Sequence, residues 1–240
     1  MHIPSEMLAG PVCPATVALA TAGIAGSAFA VASKKPAARI IAKFALVTAL
    51  VFGLQALNYP IFSGVSAHLL GGVLAAALLG IGGGVLSVAL VVVTQAFFFA
   101  DGGVDMLGAN LFNMAVIGAG AGGLFRNWLI KRGVSVSFAT GIAAAAAVQA
   151  ATLALSVELA IGASMTSAAF ASLIGLHMIA AVIEGVATVA LVKAFAAEHK
   201  APFGARAFAT LAAAVVVCFA LTAVASELPD AFEWTVERFL

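Results

Sequence analysis

The sequence predicts an all-α integral membrane protein, a polytopic bundle of about eight transmembrane helices with the N-terminus outside. Of 240 residues, 64% are hydrophobic and 9% are charged, whereas ordinary soluble domains carry about 25% charged residues. No soluble core absorbs that much apolar surface. Stretches approaching the roughly 20 apolar residues that a spanning helix needs follow one another with little polar sequence between them. Basic residues gather at the first, fifth and seventh connections, as they do in cytoplasmic loops.

Loop punctuation places the spans near 11–32, 40–58, 67–80, 84–100, 109–130, 134–160, 168–197 and 204–225. The apolar stretch 19–32 is not read as a secretory signal, because the chain opens Met1-His2-Ile3-Pro4-Ser5-Glu6 without the positive start of such a peptide. The mature chain is therefore expected to begin at Met1. The third stretch is short for a span and ends at Gly80, Gly82, Gly83 and Gly84, which predicts a tight inner turn and a hairpin. Lys34, Lys35, Arg39 and Lys43 flank the first connection; Arg126, Lys131 and Arg132 the fifth; Lys193, Lys200 and Arg206 the seventh. Threading eight spans alternately puts all ten on one side and leaves only Arg238 on the other. Met1, the 58–67 and 101–108 loops and the acidic tail (Glu227, Asp230, Glu233, Glu237) then lie outside. Small residues such as Gly118, Gly120, Gly122, Gly123 and the run 141–147 predict close helix packing.

Several functions are excluded at once. A net charge of +1, no basic run longer than Lys34-Lys35 and a single Tyr leave no surface for nucleic acid. Cys13 and Cys218 form no CxxC, so neither a disulfide framework nor a thiolate metal site is indicated. The glycine runs lack the Gly-Lys-Ser/Thr of a phosphate cradle, and neither His68 nor His177 stands in a His-Glu-x-x-His helix. The chain is not expected to be an enzyme.

Polar residues in the outward segments are the candidates for chemistry. A terminal amine, the amide nitrogen of residue 2 and a His2 imidazole close five- and six-membered chelate rings on one ion, and His68 offers a fourth nitrogen. Four nitrogens in a plane suit a tetragonal metal better than tetrahedral zinc. The alternative is a surface His2 and a His68 at a helix end. Asp101, Asp105, Asn110 and Asn113 form a polar cluster that either orients a ligand imidazole or caps the fifth helix. His177 and Glu184, seven residues apart, share one helix face about 10 Å apart along the axis, too far to share an ion unaided, which favours polar pairing within the bundle. Glu158, near an outer helix end, is expected to be solvated.

The opening Met1-His2-Ile3-Pro4 resembles that of the CbiM/NikM substrate-binding components of energy-coupling factor (ECF) transporters. Ser63-Gly64-Val65-Ser66-Ala67-His68-Leu69-Leu70-Gly71-Gly72 resembles the family's loop around its second metal-binding histidine. Asp101-Gly102-Gly103 with Leu107-Gly108-Ala109-Asn110-Leu111-Phe112-Asn113-Met114, and Glu184-Gly185, are similar to further family motifs. The resemblance runs from residue 1 to about 195. It implies an ECF-type ABC importer subunit that captures Co²⁺ or Ni²⁺ outside the cell membrane and delivers it to the cytoplasm. Its partners would be a transmembrane coupling subunit (EcfT/CbiQ/NikQ type), two ATPase subunits (CbiO/NikO type) and a small accessory membrane subunit. The implied ligands are the Met1 amine, the His2 amide nitrogen and imidazole, and the His68 imidazole, with Ser66, Asp101, Asn110 and His177 as candidates around them. No organic cofactor is implied.

Two departures stand out. Ser5-Glu6 replaces the Asp-Gly that commonly follows Met-His-Ile-Pro. The tail Ala225-Ser226-Glu227-Leu228-Pro229-Asp230-Ala231-Phe232-Glu233-Trp234 resembles a Pro-Asp-Gly-Leu-Glu segment of the accessory subunit, with Ala231-Phe232 for Gly-Leu. Residues 1–200 are thus expected to form the metal-binding membrane domain, and 201–240 an additional helix with an acidic outer tail. A stand-alone secondary transporter of divalent metals is the rival, since such proteins place ionisable residues at the bilayer midplane, as His177 and Glu184 would be.

Overall fold

A computed structural model describes residues 2–34, 37–196 and 205–240, without side chains at 196 and 205–207. Met1, Lys35, His199 and Lys200 lie outside the described residues, as does the expected domain boundary at 200/201. The elements in chain order are α1 (Val12–Ala32), α2 (Ala38–Ala56), the strands β1 (Tyr59–Phe62) and β2 (Val65–Ala67), and α3 (Gly72–Leu79). Next come α4 (Ile81–Thr94), α5 (Leu107–Leu111) and α6 (Gly122–Lys131), then α7 (Val136–Gly162), α8 (Ser167–Ala196), α9 (Ala205–Leu221) and α10 (Ala231–Phe239). A π-helical turn, Gln95–Phe99, extends α4, and a longer one, Phe112–Ala121, joins α5 to α6.

Six stretches among the described residues are long and apolar enough to cross a membrane: Val12–Ala32, Ala38–Ala56, Ile81–Phe99, Leu107–Lys131, Val136–Gly162 and Ser167–Phe195. Phe208–Val224 is a shorter apolar helix. Large apolar side chains such as Phe29, Phe97, Phe98, Phe138 and Val186 stand on the outer surface, where lipid rather than water is their solvent. Leu50, Leu74, Met114, Leu155 and Leu173 are buried along the centre. Helices α7 and α8 meet at small residues: a Cβ on Gly185 would come within 2.9 Å of the Gly141 carbonyl oxygen, so the glycine is what lets the backbones approach.

The third expected span, 67–80, differs. The chain makes a two-stranded antiparallel hairpin pairing Tyr59 with Ala67 and Pro60 with Ser66, runs irregularly through His68 to Gly71, and only then forms the eight-residue α3. That helix rises about 12 Å, too little to cross a bilayer. The 58–67 stretch is accordingly not a plain loop. Gly80, at φ 78, reverses the chain from α3 into α4, as the glycine run predicted.

Irregular backbone survives inside a membrane protein only where its polar groups are met by other protein groups. Here the partners come from far along the chain. Glu184 of α8 accepts the N–H of Leu70 at 2.7 Å and of Gly71 at 2.9 Å, while Gln55 Nε2 of α2 donates to the Leu70 carbonyl at 2.8 Å. Gly71 stands at φ 70, a left-handed conformation that glycine adopts without strain. The loop carrying His68 is thus held between α2 and α8.

The tail folds back onto the same end. Asp230 caps α10 and makes a reciprocal capping box with Glu233. Ser66 donates its N–H to the Pro229 carbonyl at 2.9 Å and its hydroxyl to that of Leu228 at 2.7 Å. Phe232 is fully buried, and Ser172 of α8 bonds Thr235. The acidic tail is therefore a packed amphipathic helix. At the opposite end, Lys43 donates to the Leu78 carbonyl at 2.6 Å and Arg126 to Thr140 at 2.7 Å. Cys13 and Cys218 are free thiols.

Candidate metal site

The N-terminal segment lies against the loop after α4, and the Asp101-Gly102-Gly103 motif explains how. Gly103 donates its N–H to the Ile3 carbonyl at 2.8 Å. A Cβ on Gly103 would stand 2.5 Å from the Ser5 nitrogen, and one on Gly102, at φ 89, would stand 2.9 Å from Asn110 Nδ2. Asn110 completes the clamp. Its Oδ1 accepts the Ile3 N–H at 2.8 Å and its Nδ2 donates to the Ile3 carbonyl at 3.1 Å, so one buried amide satisfies both backbone groups of Ile3.

The Ser5-Glu6 departure is accommodated in the same place. Glu6 has φ 64, left-handed as glycine would be, and its N–H is accepted by Asp105 Oδ2 at 2.8 Å. That bond and one from Ser5 hold the exposed Asp105 carboxyl below the usual range. The helix-cap reading of Asp105 and Asn110 fails: residue Met106 precedes α5 and no side chain caps it. Glu6→Gly should relieve the left-handed strain, worth roughly 1 kcal/mol before glycine's extra unfolded-state freedom is subtracted. A raised thermal unfolding temperature in detergent is the expected result; a lowered one would mean that the Glu6 side chain has another role.

Clamped this way, His2 is brought to His68 although 66 positions separate them in the sequence. The two imidazoles stack with centroids 5.4 Å apart and planes 20° apart. His2 Nδ1 lies 3.0 Å from Asp101 Oδ1, and His2 Nε2 is buried without a hydrogen-bond partner. His68 Nδ1 lies 3.2 Å from the Leu69 carbonyl, which fixes its proton there and leaves the lone pair on Nε2. That Nε2 is 3.8 Å from Asp230 Oδ2. Burial, with the His2 ring adding to it, drives the His68 pKa down to about 3 against the pull of Asp230 and Asp101, so the ring is neutral at pH 7. Burial raises the Asp101 carboxyl, but the His2 hydrogen bond and the nearby imidazoles outweigh it and hold it low. Asp230 follows the same balance: burial raises it, but positive charge facing it and the Glu233 N–H outweigh that, and its pKa falls well below the usual range.

The structure sorts the remaining candidates. Ser66 does not point to the imidazoles; it ties the hairpin to the tail that carries Asp230. His177 bonds its own helix through the Leu173 carbonyl at 2.9 Å and shares with His68, Glu184 and Asp230 the lining of a cavity of about 20 Å³, room for one water. His177 and Glu184 therefore do not pair with each other. Glu158 is buried rather than solvated, and accepts from Asn113 Nδ2 at 2.7 Å. Asp230 and Glu184 are the residues that the sequence underrated. The capping spacing Asp230 to Glu233 was a readable signal; nothing local marked Glu184 as the partner of Leu70 and Gly71.

Among the described residues, no three His, Cys, Asp or Glu side chains converge as a metal site. What is present is two neighbouring imidazoles, His2 facing the Asp101 carboxylate through Nδ1 and His68 facing the Leu69 carbonyl through Nδ1.

Comparison with known proteins points the same way. The model of the CbiM family, described as the cobalt uptake substrate-specific transmembrane region, matches residues 2–202. A chain of Archaeoglobus fulgidus described as a fused nickel transport protein NikMN is 32% identical over 240 aligned residues, covering 95% of this chain and 78% of that one. The cobalt transport protein CbiM of Thermosediminibacter oceani is 41% identical over 101 residues, 39% of this chain and 38% of that one. The crystal structure of a truncated transition metal transporter superposes with a TM-score of 0.73 at 27% identity, covering 83% of this chain and 99% of that one.

Proposed function

Because this chain belongs to the CbiM family of cobalt uptake substrate-specific transmembrane regions, we propose that it is the metal-capturing membrane subunit of an ECF-type importer for Co²⁺ or Ni²⁺. The observation that carries this is the pair of oriented imidazoles, His2 and His68, at the end of the bundle opposite Lys43 and Arg126. With the basic end cytoplasmic, the imidazoles face outside. A transmembrane coupling subunit and two ATPase subunits supply the energy in this reading, which agrees with glycine runs that lack the Gly-Lys-Ser/Thr of a phosphate cradle.

The proposed ligands are the Met1 amine, the His2 amide nitrogen, the His2 imidazole and His68 Nε2. Only Nδ1 of His2 closes a six-membered ring with its own amide nitrogen, and that nitrogen here faces Asp101. Loading therefore exchanges the Asp101 contact for the ion and leaves the carboxylate beside a cationic complex. Asn110, Gly102 and Gly103 position the segment, and Glu184 positions the His68 loop; neither group touches the ion.

The rival, a stand-alone secondary transporter, draws no support from His177 and Glu184, whose hydrogen bonds go to the Leu173 carbonyl and to the 70–71 backbone. His68→Ala is expected to weaken Co²⁺ and Ni²⁺ binding at least tenfold, about 1.4 kcal/mol. His199→Ala, which by sequence falls in a basic connection, should leave binding unchanged in the same calorimetric titration. An equal loss from both would remove the special role of His68. In vesicles carrying the partner subunits, uptake should require ATP; abolition by a proton uncoupler alone would favour the rival.

A further inference from the structure

Beside the two imidazoles lies a cleft of about 430 Å³, far more room than an ion enclosed by four nitrogens occupies. Gln55 from the end of α2, Asn58 from the link between α2 and β1, Gln95 from the π-turn of α4, and Asp101, Asp230 and Glu233 line it. Gln55 and Gln95 are each 2% exposed. Both amide atoms of Gln95, Gln55 Oε1 and Asn58 Oδ1 are shielded from solvent and have no hydrogen-bond partner. Orphaned buried amides are rare in native proteins and mark places where a water or a ligand belongs. Three of the four are acceptor oxygens and one, Gln95 Nε2, is a donor, so the cluster asks chiefly for a ligand rich in donors.

The charge of the cleft gives the sign of that ligand. Three carboxylates line it, and no described Lys or Arg does, so the local field concentrates cations. Its size gives the state of the cation. Six waters at about 30 Å³ each occupy about 180 Å³, which the cleft holds with space to turn. Coordinated waters present hydrogens outward, and these match the acceptor oxygens of Gln55, Asn58 and Gln95.

We propose that this cleft is a second binding site, reached before the nitrogen site, which takes the divalent cation as its hexahydrate. Gln55, Asn58 and Gln95 hold the water shell by hydrogen bonds in the field of Asp101, Asp230 and Glu233. The waters leave when the nitrogens of the N-terminus and His68 replace them. This rests on the metal-capture reading above, and deepens it by naming the form in which the ion arrives.

The probe is cobalt(III) hexaammine, an exchange-inert ion with outward N–H donors that cannot bond an imidazole. The purified full chain and its His68→Ala variant should each bind one hexaammine by equilibrium dialysis, and in the unaltered chain the hexaammine should slow Ni²⁺ capture in proportion to its occupancy. Gln95→Leu should weaken hexaammine binding at least about tenfold, the effect of losing a hydrogen bond to a charged group. Gln55→Met reports the same loss at a second position should Gln95→Leu not fold. No hexaammine binding to the unaltered chain, or binding that neither substitution changes, overturns the second site. Retained hexaammine binding in a chain that takes up no Ni²⁺ at all would instead refute the capture reading and leave the cleft standing.

Discussion

Acetylation of the Met1 amine is expected to abolish high-affinity Co²⁺ and Ni²⁺ binding while the fold remains intact. The acetyl group turns the Met1 nitrogen from an amine into a capped amide with no lone pair to give, so the five-membered ring of the proposed chelate is lost. The helices do not depend on that ring. They rest on lipid exposure outside and on small-residue packing inside, as at Gly141 and Gly185, and the segment behind His2 is pinned independently by Asn110 and Gly103. The loss should therefore appear in a metal titration and not in a thermal unfolding curve. Equal affinity in the two chains would show that Met1 is not a ligand, and the site would have to be rebuilt around His2, His68 and Asp101.

Acid should act through the same amine. Binding requires it unprotonated, and an α-amino group titrates ordinarily near 7.7–8.0, so affinity should fall as the pH drops through that range and below. His68 does not set this limit: with its pKa pushed down to about 3, it stays neutral, with a lone pair to give, until far lower pH.

Hydropathy made the spans legible because lipid exposure is written in composition. The expected stretches 134–160 and 168–197 became Val136–Gly162 and Ser167–Ala196, with ends displaced by no more than two residues. Hydropathy does not record backbone direction, however. The stretch 67–80 is as apolar as a span, yet four of its residues are irregular and only eight are helical, because Glu184 and Gln55 supply the partners that a helix would have supplied to itself. Those bonds bridge 114 and 15 positions, and no local pattern announces them. The site was legible in a similar, partial way. His2, His68 and Asp101 were named from the sequence and come together. Asp230 was seen only as tail charge, although it stands 3.8 Å from His68, since its approach depends on Ser66 holding residues 228 and 229 through the hairpin.

Glu184→Ala is expected to be the most damaging substitution among the residues that touch no ion. It leaves the N–H groups of Leu70 and Gly71 without an acceptor in the interior, where each orphaned group costs roughly 1–3 kcal/mol, and the adjoining cavity of about 20 Å³ has room for one water against two N–H groups. The segment relaxes by moving, and His68, two residues before Leu70, moves with it. Both stability and metal affinity should fall, the affinity by at least tenfold, about 1.4 kcal/mol. Glu184→Gln tests the two-acceptor geometry directly: its oxygen serves one N–H, while its amide nitrogen presents hydrogens to the other. It should therefore recover only part of the loss. His177 provides the control on the same helix, since its bond to the Leu173 carbonyl is local to α8 and its removal strands nothing in the 68–71 loop. His177→Leu should keep near-normal affinity in a calorimetric titration run beside Glu184→Ala. If the two variants bind metal equally well, the buried carboxylate is a packing feature of the bundle, and some other contact must hold His68 toward His2.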